Sequence, residues 1–302
     1  MALEPSSSST KKKAMRHTIV FIARQVVLIG LAALAYFGVR GLTEGDVDRA
    51  NRNAERLLDV ERTLSVDIER GLQDALLTNQ WLVDIANWIY IWGHWPVVAT
   101  TLVWLAIARR RDFYQLRNAM FISGAIGLVI YASFAVAPPR LFSIDYVDTV
   151  TENSVSYRLL QPPSLVNKYA AVPSLHFGWN LLVGLAWHNA GRSILATGAA
   201  VTMPLAMAFA VVATANHWTL DVIAGAVVAL SGLALERTRL KRLSRPRVDD
   251  SEIAGAPVPP AVDDHDQNHN QQSPSHSQRT RARRSRHPRP VTTGQLPEGP
   301  RQ

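Results

Sequence analysis

His217 and Asp221 stand four residues apart in ANHWTLDV (215–222), so on a helix they share one face. An imidazole in that setting can attack an electrophile through one ring nitrogen while the carboxylate fixes the tautomer through the other. A second histidine, His176, follows Ser174 in VPSLHFGW (172–179), where it can protonate a leaving oxygen and then deprotonate an acceptor. Arg140, in AVAPPRLF (135–142), can meet an anion with a bidentate fork. A helix opening at Pro173 and Ser174 would turn backbone N–H groups and a positive dipole end toward the same anion. These types fit one reaction: a phosphate ester held by cations and N–H groups, attacked by histidine to give a phospho-enzyme. Arg158 and Lys168, in the loop between the first two stretches, are further candidate phosphate contacts.

Each stretch also has a plainer reading on its own. Pro173 and Ser174 are ordinary helix-start residues. Arg140 can anchor a helix at a membrane interface. His217 and Asp221 can be a structural pair. Two histidines and a carboxylate also form a known metal ligand set, so a metal-dependent hydrolase remains an alternative. The paired His-x-x-x-Asp with a nearby arginine suits an anion better than a cation. His94, Asn87 and Tyr90 share a helical face and read as packing or as a polar lining.

The elements that must position these residues are apolar. The chain has 302 residues, a net charge of +8 and no cysteine, so disulfides are excluded. Six apolar runs, at about 18–39, 81–108, 115–137, 174–189, 192–214 and 218–236, approach the roughly 20 residues a bilayer crossing takes. The second is interrupted by GHWP, where Pro96 predicts a kink; the fourth is short. The first could be a signal peptide, with a weak cleavage site at 33–35, but its length favours an uncleaved anchor. The expectation is an all-α polytopic membrane protein built as a six-transmembrane-helix bundle.

Lys11, Lys12, Lys13 and Arg16, then Arg109, Arg110, Arg111 and Arg117, then Arg192, then the basic run from Arg237 to Arg247 all fall on one side if all six runs cross. Positive charge marks the cytoplasmic side. The basic residues therefore read as topology signals, and no nucleic-acid partner is expected. The three polar stretches, far apart in sequence, then share one extracytoplasmic level. Intramembrane ionisable residues that gather in this way usually mark function. Segment 40–80 carries apolar positions at helical spacing and reads as amphipathic interfacial helices. The organisation is thus a basic N-terminal segment (1–17), a membrane-embedded domain (18–245) and a Pro-, Ser- and Gln-rich disordered tail (246–302).

PSLH followed by HWTLD resembles the second and third signature motifs of the type 2 phosphatidic acid phosphatase superfamily. APPR with YAAVPSLH and NHWTLD is more specifically similar to the inositol phosphorylceramide synthase branch, over about residues 45–236. That resemblance implies a six-helix bundle, a metal-independent mechanism with no cofactor, His217 as nucleophile, Asp221 as its partner and His176 as general acid and base. It also implies a lipid phosphate or phospholipid substrate, water or an alcohol as acceptor, and transfer of a phosphoinositol-like headgroup. The phosphatase branch carries lysine, glycine and arginine where this chain has Ser133, Leu175 and Val211. Two cationic phosphate contacts are therefore missing, which argues against general phosphatidic acid hydrolysis.

The expected protein is a lipid phosphatase or phosphotransferase of the bacterial cytoplasmic membrane. The alternative from another class is a transporter or scaffold on the same bundle. The topology gives a direct expectation. A reporter fused after Arg247 should be active on the cytoplasmic side, and one inserted in the loop 138–173 on the outer side; activity of the first fusion only outside would overturn the arrangement.

Overall fold

The computed structural model describes residues 7–42, 46–153, 168–191 and 193–243. Arg158, Arg192 and the tail fall outside the described residues. Eleven helices are described: α1 Ser7–Leu42, α2 Val47–Leu64, α3 Glu69–Leu77, α4 Gln80–Trp92, α5 Trp95–Ala108, α6 Arg110–Ser133, α7 Pro139–Phe142, α8 Thr149–Asn153, α9 Leu175–Gly191, α10 Ile194–Ala213 and α11 Thr219–Leu243. Among the described residues the β-structure is one isolated parallel bridge, Val136 to Ala170. The described part of the chain is all-helical, as its apolar runs foretell.

Among the described residues four helices are long and apolar enough to cross a membrane: the Met15–Tyr36 part of α1, then α6, α10 and α11. A fifth crossing results if α4 and α5 count as one span bent by 41°. The bend sits where Pro96 enters at the start of α5, because proline cannot donate the helical hydrogen bond. α9 has 17 residues, about 26 Å at 1.5 Å per residue, somewhat less than the hydrocarbon thickness of about 30 Å. The helices shown therefore number four to five spans, and a sixth depends on α9. Large apolar side chains such as Val27, Leu34, Val129 and Leu205 stand exposed on these helices, the pattern of a protein whose outer solvent is lipid.

One cluster of ionisable groups within the spans is paired. Arg117 of α6 bonds Gln25 of α1 and Asn118, Asn118 donates to Glu236 of α11 at 2.9 Å, and Arg239 bridges to Glu236 at 3.0 Å. This network ties three helices together at the end remote from His217.

At the other end the helices approach closely. A Cβ on Gly225 of α11 would run into the Ser174 carbonyl oxygen, and one on Gly178 of α9 would lie 2.6 Å from the Gly225 carbonyl oxygen. Only backbone fits at this crossing. The crossing lies one turn after Asp221 and at the start of α9, so it sets the distance between two of the three polar stretches.

Segment 47–77 forms two helices, as its periodicity foretells. Asp46 caps α2 by accepting from the N–H groups of Asp48 and Arg49, and Ser65, in the left-handed region at φ 56°, ends it. Ala50 and Ala54 of α2 pack on Val136, Ala137 and Trp218, while Leu72 and Leu76 of α3 pack toward α4 and α10.

Gly225→Ala should separate α11 from α9. Overpacking at such a contact costs about 1–3 kcal/mol, so a lower thermal midpoint in detergent is expected, with turnover falling more steeply than stability.

Candidate active site

The three polar stretches are stitched together by their backbones. Val136 N donates to Tyr169 O at 2.8 Å and Ala171 N to Val136 O at 3.3 Å, joining the first stretch to the second. Arg140 N donates to Ala215 O at 3.0 Å, joining the first to the third. Ser174 N donates to Asp221 O at 2.9 Å, joining the second to the third. Trp218, fully buried, donates its indole N–H to Ala137 O at 2.8 Å and packs edge-on against Phe142 and Tyr146.

The third stretch is launched by the end of α10. Ala215 N donates to Val212 O and Asn216 N to Val211 O, the paired bonds of a Schellman ending. Ala215 adopts φ 55°, a conformation costing an L-residue roughly 1–2 kcal/mol. This reversal turns the chain so that His217 enters the cluster ahead of α11.

His217 Nδ1 lies 2.9 Å from Ala171 O and 3.2 Å from Asp221 Oδ2. A carbonyl oxygen can only accept, so Nδ1 must carry the hydrogen and donate to both. The lone pair of the neutral ring is then on Nε2, the state a nucleophile or base requires. Asp221 Oδ2 also accepts from Trp218 N at 2.9 Å, so the carboxylate is oriented by the same turn it serves. His217 and Asp221 are both buried.

The His176 ring centroid is 6.1 Å from that of His217. The ring is half-buried, stacks on Tyr90 at 4.8 Å and packs against His94 at 4.4 Å. Arg140, its side chain 12% exposed, donates from Nε to Asn216 Oδ1 and from Nη1 to Asp148 Oδ2, each at 2.9 Å. It is thus fixed beside the residue that precedes His217. Ser174 is fully buried, and its Oγ has no hydrogen-bond partner among the described residues. Lys168 is exposed in the turn before the bridge to Val136, and Arg158 lies outside the described residues. The sequence therefore names five residues that gather, His217, Asp221, His176, Arg140 and Ser174.

Other contributors come from the residues that read in the sequence as packing or as a polar lining. His94 is 2% exposed, contacts Asn180 Nδ2 through Nδ1 at 3.1 Å and stacks with Trp179, so it is a wall of the histidine cluster. Asn87, on the same face, exchanges hydrogen bonds with Thr149 and holds the loop that carries Asp148. Among the described residues no three His, Asp or Glu side chains gather as a metal ion would need. Next to His94, Trp95 and Trp179 an apolar cavity of about 310 Å³ opens between α1, α5, α6 and α9.

A family model described as the PAP2 superfamily matches residues 55–235, more than half of the chain. The chain belongs to the PAP2 superfamily. Comparisons with curated proteins and with solved structures found no match. Membership makes a phosphatase or phosphotransferase enzyme the coarse functional class, with lipid phosphates as substrates and a membrane as setting. The match runs from within α2 to within α11 and includes all three polar stretches, so the hydrogen-bonded cluster lies inside the PAP2 segment.

Arg140→Lys keeps the charge but cannot bond Asn216 and Asp148 together. Charge-assisted hydrogen bonds are each worth about 1.5–3 kcal/mol, so kcat/KM should drop roughly tenfold to a hundredfold, measured on a lipid phosphate substrate.

Proposed function

We propose that this PAP2 protein is an integral membrane lipid phosphotransferase or phosphatase that works at the extracytoplasmic face through a phosphohistidine. The observation that carries the reading is His217 Nδ1 directed at two acceptors, which leaves Nε2 to attack. In the first half-reaction the Nε2 lone pair forms a bond to phosphorus and the bond from phosphorus to the leaving oxygen breaks. His176 gives that oxygen a proton. In the second, His176 takes a proton from water or an alcohol, the acceptor oxygen attacks phosphorus, and the N–P bond breaks. Asp221 stabilises the ring as positive charge develops. Arg140, Ser174 and the start of α9 hold the phosphate oxygens, with Lys168 and Arg158 as outer cations. No metal or cofactor takes part in these steps.

Two observations support the transferase branch, with a phosphoinositol-like headgroup as the group moved. Ser133 and Val211 stand where the phosphatase branch has its additional cations. The reacting ring is 6% exposed, and the apolar cavity is lined by Trp179, which stacks on His94, itself packed against His176. A lipid-borne alcohol reaches such a site more readily than bulk water does. The same reading takes α9 as the sixth span, residues 18–245 as the membrane domain and 246–302 as a cytoplasmic tail. Both termini are then cytoplasmic, in a bacterial inner membrane.

The test is acid-labile phosphate, or phosphorylated headgroup, trapped on the purified protein. It should form with wild type and persist in His176→Ala, and it should be absent in His217→Ala together with turnover. Label retained by His217→Ala would overturn the nucleophile assignment. Asp221→Asn should lose less than the roughly 10⁴-fold seen when a triad aspartate is changed, because Ala171 O still accepts from Nδ1. Asp221→Ala should be worse, since Trp218 N–H then loses its acceptor too.

A further inference from the structure

Two glutamates of the α2–α3 hairpin are sealed against the first turn of α11. Glu61 is fully buried and Glu69 is 1% exposed, although the hairpin lies outside the candidate spans. Glu69 Oε1 accepts from Thr219 N at 2.6 Å and Glu61 Oε1 from Leu220 N at 2.7 Å. Thr219 and Leu220 lie between His217 and Asp221. Because their donors are consecutive N–H groups, the two carboxyl groups lie side by side, yet Glu61 Oε2 is buried with no N–H or O–H donor facing it among the described residues. Two ionised carboxylates in contact away from water repel strongly, while one proton between them supplies the missing donor and removes the repulsion.

We propose that Glu61 and Glu69 share one proton and act as positioning residues for the His217–Asp221 pair, clamping the turn between them from outside the bundle. This rests on the reading of His217 as the nucleophile. The shared proton itself is testable without it.

The groups facing Glu61 give the sign of the pH dependence. Burial is the largest influence and raises its pKa; the Leu220 N–H lowers it, and the Glu69 and Asp221 carboxylates raise it again, to about 8. Glu69 also faces Tyr146, whose phenol is pushed up to about 12 mainly by burial. Arg70 and Arg62 stand nearby but are exposed and paired with Asp74 and Asp59. The folded value lies above the ordinary one, so the fold favours the neutral acid. The proton's contribution to stability is full below the ordinary value of about 4.5, shrinks as pH rises, and is gone once pH has passed about 8.

E61Q separates this from simple packing. An amide can accept from Leu220 N–H and donate to the Glu69 carboxylate, as the protonated acid does, but it cannot ionise. Full-length protein in detergent should show a thermal midpoint that falls as pH rises from about 4.5 to about 8 and levels off above that, and E61Q should flatten that fall. Wild type at neutral pH should show a carboxylic-acid carbonyl band in the infrared that E61Q removes. E61A should lower kcat by about tenfold or more while leaving KM nearly unchanged, and E61Q should restore it. The proposal is overturned if wild type and E61Q show the same pH dependence of unfolding, if E61Q leaves the infrared band in place, or if E61Q is as impaired as E61A. Should His217→Ala keep its turnover, the nucleophile reading fails, yet the unfolding and infrared measurements still decide the shared proton.

Discussion

One N–H group organises the site. His217 Nδ1 donates to the carboxylate four residues ahead and to the Ala171 carbonyl from a different stretch of chain. The first contact is local and any helix start could supply it. The second requires the loop before α9 to lie against the loop before α11, and this requires α9 and α11 to touch backbone to backbone. Gly178 and Gly225 allow that approach, and the bond from Ser174 N to Asp221 O fixes its register. A side chain at the glycine crossing would therefore disturb the ring nitrogen without touching the histidine.

The cluster shows which parts of such a protein are legible in sequence. Pro96 announces the bend in the second span because its effect is local and covalent. The clustering of His217, Asp221, His176 and Arg140 is legible because charged and imidazole groups at apolar helix ends stand out from their surroundings. The glutamates do not stand out. Glu61 and Glu69 sit in an amphipathic segment full of exposed charges, such as Glu55, Arg56 and Asp59, and nothing in their spacing marks two of them as buried. Their burial depends on where the hairpin meets α11, a long-range contact. Asp148 is hidden for a similar reason, since only the fold brings its loop to Arg140. The number of spans is the least legible feature, because α9, at 17 residues, lies near the length limit where composition stops discriminating.

Polar groups inside an apolar bundle have to answer one another, and two kinds of answer are visible here. At the end remote from His217, Arg117, Asn118, Glu236 and Arg239 form a closed network that joins α1, α6 and α11. Around His217 the pairing is incomplete among the described residues: Ser174 Oγ and Asp221 Oδ1 are buried without a partner. An unmet buried oxygen costs about 1–3 kcal/mol, and a structural cluster would have little reason to keep two of them in adjacent positions. A site that receives a phosphate and passes protons does, because Ser174 can donate once an anion arrives.

In the proposed mechanism the start of α11 limits where that anion can sit. The first N–H groups of a helix are a natural anion site. Here the N–H groups of Trp218, Thr219 and Leu220 are already taken by Asp221, Glu69 and Glu61, respectively. Three carboxyl groups at one helix start make that turn a poor host for phosphate, and one of them, Asp221, faces His217 Nδ1 instead. In the proposed mechanism the phosphate is left to Arg140 and to the start of α9. The division is useful chemically. Acidic groups behind His217 raise the electron density of its ring and leave Nε2 nucleophilic, while the cation and the α9 dipole, on the substrate side, draw negative charge away from phosphorus as the new bond forms. Were the phosphate to bind at α11 instead, it would compete with Asp221 for the same N–H and loosen the group that orients the nucleophile.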